Sequence, residues 1–227
     1  MIVYYAMGGG LGHLNRARKV LSKLNLTGPI KIITACKYAN LIFNEEHIFQ
    51  VQGNAGHYLT GSLDETHNIM TQASHFITDC FPFGILAELD FNYLNKDATR
   101  IHITRAMDWR KYRDKIKIFN KIYCHTYYVE EIEKEHFSDL NRLSSKIDYL
   151  EIDFSPKERL RMSSRNYSLI VHSGPEEEII QLCEYAIEIT KLKNIQSDFF
   201  LISPLRVASL PSRIKQVNCY PASSYFH

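Results

Sequence analysis

The residues with the clearest chemical potential stand at the start of the chain. Ile2 to Met7 is an apolar run of strand character. Gly8, Gly9, Gly10 and Gly12 follow, and His13 then opens a segment with Leu14, Ala17, Val20, Leu21 and Leu24 at helical spacing. Strand, glycine turn and helix N-terminus make a corner where backbone N–H groups approach a ligand and the helix dipole favours an anion. Two nucleotide-binding patterns that use such a corner fail here. A dinucleotide fingerprint needs glycine where His13 stands and an acidic residue at the end of the next strand, where Ala35, Cys36 and Lys37 stand. A Walker loop needs Lys-Ser/Thr after its glycines, which is lacking. What remains is a glycine turn that delivers a histidine to the first turn of a helix. An imidazole at that positive end tends toward its neutral, proton-accepting form. The same ring could instead do no more than cap and pack the helix start.

These residues need a scaffold, and the order of elements supplies one. Strand-like runs alternate with helical periods: IVYYAM, a helix from about His13 to Leu24, KIITAC, a short helical segment near Tyr38 to Phe43, then HIFQV. SLDETHNIMTQA begins with Ser62 and has Glu65 three residues on, the spacing of a capping box, and predicts a helix. HFITDC predicts a strand ending at Asp79. GILAELDFNYL predicts a helix, TRIHITR a strand, Asp108 to Asn120 a charged helix, and IYCH a short strand. Such alternation implies parallel strands with helical crossovers, an α/β fold with a Rossmann-like sheet over 1–155. The polar, basic stretch SPKERLRMSSRN reads as a linker. After it the pattern restarts with YSLIVHS, a Gly174-Pro175 turn, a helix of about Glu176 to Lys191, and DFFLIS. VNCYPASSYFH adds at most one more strand, so 166–227 reads as an incomplete second Rossmann-like domain.

Composition narrows the function classes. The chain has 227 residues, with 27 Lys+Arg against 25 Asp+Glu, a formal charge of +2, and 45% hydrophobic residues. That near-neutral balance gives no electrostatic footprint for nucleic acid. No apolar run is long enough to span a bilayer and no signal peptide is recognisable, so a cytoplasmic location is expected. The five cysteines, Cys36, Cys80, Cys124, Cys183 and Cys219, form no CxxC pair, which speaks for free thiols over a zinc site or a disulfide framework. The segment MDWRKYRDKIKIFNK sets Arg110, Lys111, Arg113, Lys115, Lys117 and Lys121 beside Trp109, Tyr112 and Phe119. It reads either as a solvated charged helix or as a peripheral contact with an anionic membrane.

Four segments carry a resemblance. MGGGLGHLNRA resembles the GGxxGH loop of the MurG-like and related GT-B glycosyltransferases. TDCFPFGILAEL is similar to the Asp-x-x-Pro-x-Gly-x-x-x-Glu-Leu segment of a predicted glycosyltransferase group in that superfamily. YSLIVHSGPEEEIIQLCEYA resembles the first strand, loop and helix of the donor-side domain, and CYPASSYFH the segment before the main donor-binding helices. The resemblance spans the chain in order.

It implies metal-independent transfer of a sugar from a nucleotide-diphosphate sugar, of the UDP-sugar type, to the hydroxyl of a carbohydrate or lipid-linked acceptor. No resident cofactor and no metal are implied. His13 would be the general base, Gly9, Gly10 and Gly12 would shape the loop, and Ser173 and Gly174 would contact the diphosphate. Asp79 would either orient His13 or cap the following turn. Glu88 would support the loop, and Glu176, Glu177 and Glu178 a helix start. The loop around His57 and Tyr58 would lie on the acceptor side. Under this reading 1–155 is the acceptor-side domain and 166–227 a truncated donor-side domain. Two other readings stand beside it: a noncatalytic remnant or acceptor-domain subunit that needs a partner chain, and a nucleotide-sugar epimerase or hydrolase.

Overall fold

A computed structural model describes residues 1–8, 10–52, 60–116, 120–152, 167–172 and 175–218. The chain forms two compact units, Met1–Asp153 and Phe154–His227. In the first, β1 (Ile2–Tyr5), α1 (Leu11–Lys23), β2 (Ile30–Thr34) and β3 (Ile48–Gln50) are followed by α2 (Thr60–Thr71), β4 (His75–Asp79) and β5 (Thr99–Thr104). Then come α3 (Trp109–Arg113), β6 (His125–Tyr128), α4 (Lys134–Leu143) and β7 (Ile147–Tyr149). The seven strands make one parallel sheet in the order β3-β2-β1-β4-β5-β6-β7, an α/β fold of the Rossmann-like kind. The second unit holds β8 (Tyr167–Val171), α5 (Glu176–Leu192), β9 (Asp198–Ser203) and β10 (Ile214–Asn218), with a parallel sheet in the order β10-β9-β8.

β1 is central because all four of its residues are apolar or aromatic and all are buried. Its alternation divides the core. Ile2, Tyr4 and Ala6 face the cluster built on Leu14, Ala17, Val20 and Leu21 of α1. Val3, Tyr5 and Met7 face the opposite cluster with Met70, Ala73 and Phe76. The chain leaves β1 toward β2 on one side and meets β4 on the other, so the strand order reverses between β1 and β4. Open α/β sheets bind ligands beyond the carboxyl ends of the strands at such a switch point.

Four local expectations are corrected. Ser62 is no N-cap: α2 begins at Thr60, and Ser62 Oγ accepts a hydrogen bond from Gln52 N at 3.3 Å, tying the helix to the end of β3. GILAELDFNYL is not a helix. Gly84 and Ala87 have φ of 86° and 61°, which no α-helix accommodates, and only a 3-10 turn at Phe91–Tyr93 forms, capped by Asp90. Of the expected charged helix, residues 117–119 lie outside the described residues and the described part forms α3 alone, whose N-cap Asp108 accepts from Lys111 N. The strand expected at IYCH begins at His125, with a single bridge from Tyr123 to Ser144 before it. α4 carries His136 and Asp139 among its buried residues, beside Leu140 and Leu143, and these polar residues mask its apolar period.

Two buried histidines set an acid limit on this unit. His102 on β5 is fully buried with Nε2 3.2 Å from the Cys80 carbonyl oxygen, and burial pushes its pKa down to about 3. His136 stacks on Trp109 at 4.0 Å between ring centroids, and burial pushes its pKa down to about 4. Both are depressed from an unfolded value of about 6.5. Their contribution to stability is therefore full above that value and lost as the pH falls toward 4 and 3. We expect the unfolding free energy in urea to drop below pH 6.5 with a slope of at most about 1.4 kcal/mol per pH unit for each histidine. The slope becomes shallower in His136→Gln; a flat profile from pH 7 to 4.5 would contradict this assignment.

Candidate functional site

The carboxyl ends of β1 and β4 and the N-terminus of α1 bring His13 and Asp79 together. His13 is the third residue of α1, whose N-cap is Gly10 in extended conformation (φ −115°, ψ 168°) and whose first turn holds no acidic residue. Asp79 ends β4 and is fully buried. His13 Nδ1 lies 2.5 Å from Asp79 Oδ2. Arg16, on the same helix, donates from Nε to Oδ1 at 2.7 Å and from Nη2 to Oδ2 at 2.8 Å. Nη2 also lies 3.2 Å from Cys80 Sγ, and the Tyr4 hydroxyl approaches Oδ1 from 3.5 Å.

Electrostatics follow from this packing. Desolvation by itself would raise the pKa of Asp79, but the hydrogen bonds from His13 and Arg16, with the Arg16 charge, outweigh it and hold the carboxyl below its usual range. Burial alone would likewise lower Arg16, yet its bonds to Asp79 and the opposite charge raise it instead. Burial, reinforced by the Asp79 charge, raises Tyr4 well above its ordinary value and pushes Cys80 up to about 12. Cys80 is therefore a thiol at neutral pH and no nucleophile. An ionised carboxylate only accepts hydrogen bonds, so the 2.5 Å contact makes Nδ1 of His13 the protonated nitrogen. The Arg16 Nη2 at 3.3 Å from Nδ1 is then a close approach of two donors. In the neutral imidazole Nε2 then carries the lone pair, and it takes no hydrogen bond among the described residues.

The surrounding backbone is shaped to this pair. Cys80 has φ 66° and is the centre of a tight turn in which Phe81 N donates to Asp79 O at 2.8 Å. A non-glycine residue there costs of order 1–3 kcal/mol and persists where the surroundings over-determine it. Those surroundings are three tyrosines. Tyr123 OH donates to Pro82 O and accepts from Thr78 Oγ1; Tyr112 OH donates to Gly84 O and accepts from Phe83 N; Tyr5 OH donates to Glu88. Glu88 also accepts from Leu86 N at 2.8 Å, and a Cβ on Gly84 would fall on its carboxylate.

His13, Asp79 and Cys80 place three metal-ligating atoms within 4.8 Å of one another. The set does not fit a divalent cation. Arg16 already supplies the positive charge and occupies both Asp79 oxygens and the sulfur.

Of the residues singled out in the sequence, His13 and Asp79 meet and Gly10 precedes the helix that carries His13. Gly12 lies inside α1, and a Cβ there would meet nothing within 4 Å. Gly9, His57, Tyr58, Ser173 and Gly174 lie outside the described residues. Glu176 Oε1 accepts from Ala208 N at 3.1 Å, and Glu178 lies 3.4 Å from His172. Trp109 and Tyr112 are buried, and Arg110, Lys111 and Arg113 pair with Glu135, Asp108 and Asp139. That segment thus offers a membrane neither of these aromatics. No helix among the described residues is long and apolar enough to cross a membrane. The sequence reading missed Arg16, Tyr4 and Gly8. Arg16 had a signal, since it follows His13 at the i,i+3 spacing that puts two side chains on one helix face. No protein-family model matches the chain, and no curated protein matches it.

Gly8 is fixed by contact: a Cβ there would lie 2.5 Å from His13 Cδ2 and 2.8 Å from Nε2. Gly8→Ala should push the ring off Asp79, seen as a change in the His13 side-chain NMR resonances. Gly12→Ala should leave them in place and hold or raise stability, by up to about 1 kcal/mol in urea. Identical His13 resonances in Gly8→Ala and wild type would show that the ring does not depend on this glycine.

Proposed function

We propose that the chain acts as a metal-independent glycosyltransferase, moving a sugar from a nucleotide-diphosphate sugar to an acceptor hydroxyl with His13 as general base. The observation that carries this reading is the 2.5 Å contact of His13 Nδ1 with buried, ionised Asp79, which in the neutral imidazole makes Nε2 the proton acceptor at the switch point of the sheet. In the proposed step Nε2 takes the acceptor's hydroxyl proton while that oxygen bonds to the anomeric carbon. The bond from that carbon to the diphosphate breaks, and the nucleoside diphosphate leaves with the electron pair. The imidazolium that forms is stabilised by the Asp79 carboxylate. Charge growing on the leaving group suits a helix N-terminus free of acidic residues, as at α1. The reading also rests on the resemblance of the GGGLGH and DCFPFGILAEL segments to GT-B glycosyltransferases. Gly9, Gly10, Gly12, Ser173 and Gly174 belong to it as proposed substrate contacts, and a UDP-sugar as the proposed donor.

A second reading, an acceptor-side subunit that works with a partner chain, draws on the second unit. Among the described residues its sheet repeats the β3-β2-β1 half of the first unit's order, and Tyr167, Leu169 and Val171 of β8 are exposed. Parallel sheets are ordinarily covered on both faces.

Calorimetric titration with UDP-sugars separates the two: saturable micromolar binding by the chain alone favours the enzyme, and no binding favours the subunit. In an assay of UDP release with acceptor present, His13→Ala should lower the rate by about 10²–10⁴-fold while the thermal melt stays nearly unchanged. Undiminished transfer by that variant removes His13 from the role. Release of nucleotide without acceptor points to a hydrolase.

A further inference from the structure

We propose that Arg16 is the positioning residue of the His13–Asp79 pair, its planar fork holding the Asp79 carboxylate in the one rotation that presents Oδ2 to His13 Nδ1. The consequence for rate rests on the reading of His13 as a base; the positioning itself does not.

A carboxylate turns about its Cβ–Cγ bond unless both oxygens are held. Arg16 holds both, Oδ1 through Nε at 2.7 Å and Oδ2 through Nη2 at 2.8 Å. Without it, among the described residues, Oδ1 would keep only the Tyr4 hydroxyl at 3.5 Å, at the limit of a hydrogen bond. α1 delivers His13 and Arg16 from one face, three residues apart, while β4 delivers the carboxylate. Arg16 is 5% exposed, so its guanidinium is not presented to solvent as a clamp for a substrate anion.

Charge makes the same point. Among the described residues, the titratable and charged groups around the pair are Tyr4 from β1, Cys80 beyond β4, His102 from β5 and Arg16 from α1; burial keeps the tyrosine and the thiol protonated and the His102 imidazole neutral. Arg16 therefore cancels the Asp79 charge, and the site is neutral whenever the imidazole is neutral. A lone buried carboxylate in that place would repel an anionic donor. It would also escape by taking up a proton, since desolvation is the largest influence on Asp79. A protonated Asp79 could no longer fix which ring nitrogen of His13 carries the hydrogen.

The test is NMR on the full chain labelled in its histidine and aspartate side chains. Wild type should show a downfield Nδ1–H resonance, assigned by its loss in His13→Ala, and an Asp79 carboxyl carbon that does not titrate above about pH 4. In Arg16→Gln the resonance should disappear and the Asp79 midpoint rise by about one to three pH units. In Arg16→Lys, which keeps the charge without the fork, Asp79 should stay ionised while the resonance shifts or broadens. A merely structural arginine would lower the melting temperature and move neither signal. Wild-type resonance and wild-type Asp79 titration in Arg16→Gln would overturn the proposal; should that variant not fold, an unchanged resonance in Arg16→Lys overturns it. If the signals move as expected while wild type transfers no sugar, the base reading fails and the positioning role stands.

Discussion

The ion pair between Asp79 and Arg16 is the constraint around which the first unit is arranged. An ionised carboxylate with no exposure is tolerable only if its charge and its lone pairs are met, because removing one member of such a pair costs about 3–5 kcal/mol. Here both oxygens are met, and the two residues come from elements separated by 63 positions in the chain. The pair therefore fixes how α1 lies on β4. His13, three residues before Arg16, has its place decided by the same contact.

Strand alternation then determines what surrounds the pair. Tyr4 and Tyr5 are neighbours in sequence with the same side chain, yet they do different work because successive residues of a strand face opposite sides. Tyr4 shares the α1 side with Asp79, where its hydroxyl adds to the carboxylate's environment. Tyr5 points to the other side and donates to Glu88, which folds the loop after β4 upon itself. With Tyr112 and Tyr123 holding the same loop, the turn at Cys80 is pinned despite its positive φ. Rigidity at this point keeps the Asp79 carboxylate at the sheet edge and within reach of α1.

The parallel alternation of the first unit, the strand ends at Asp79 and the helix that opens near His13 were legible in the sequence, because apolar period and glycine placement encode them locally. Segments whose inner face carries polar residues were harder to read. His136 and Asp139 lie inside α4, and their partners Trp109 and Thr104 come from elsewhere in the chain. GILAELDFNYL has a respectable helical composition, but Gly84 and Ala87 adopt positive φ angles in a loop that is held by the distant Tyr5 and Tyr112 and by a local bond from Leu86 N to Glu88.

By itself, the sequence determined the α/β class and the glycine corner that sets His13 in the first turn of α1, since each depends on neighbours a few positions away. Tertiary structure decided which carboxylate His13 meets, that Arg16 turns inward instead of toward solvent, and that Gly8 must lack a side chain for the ring to lie where it does. The reason is physical. Local pattern sets the direction a side chain leaves its element, whereas a buried charge can be matched only when two elements close in space bring their partners to it.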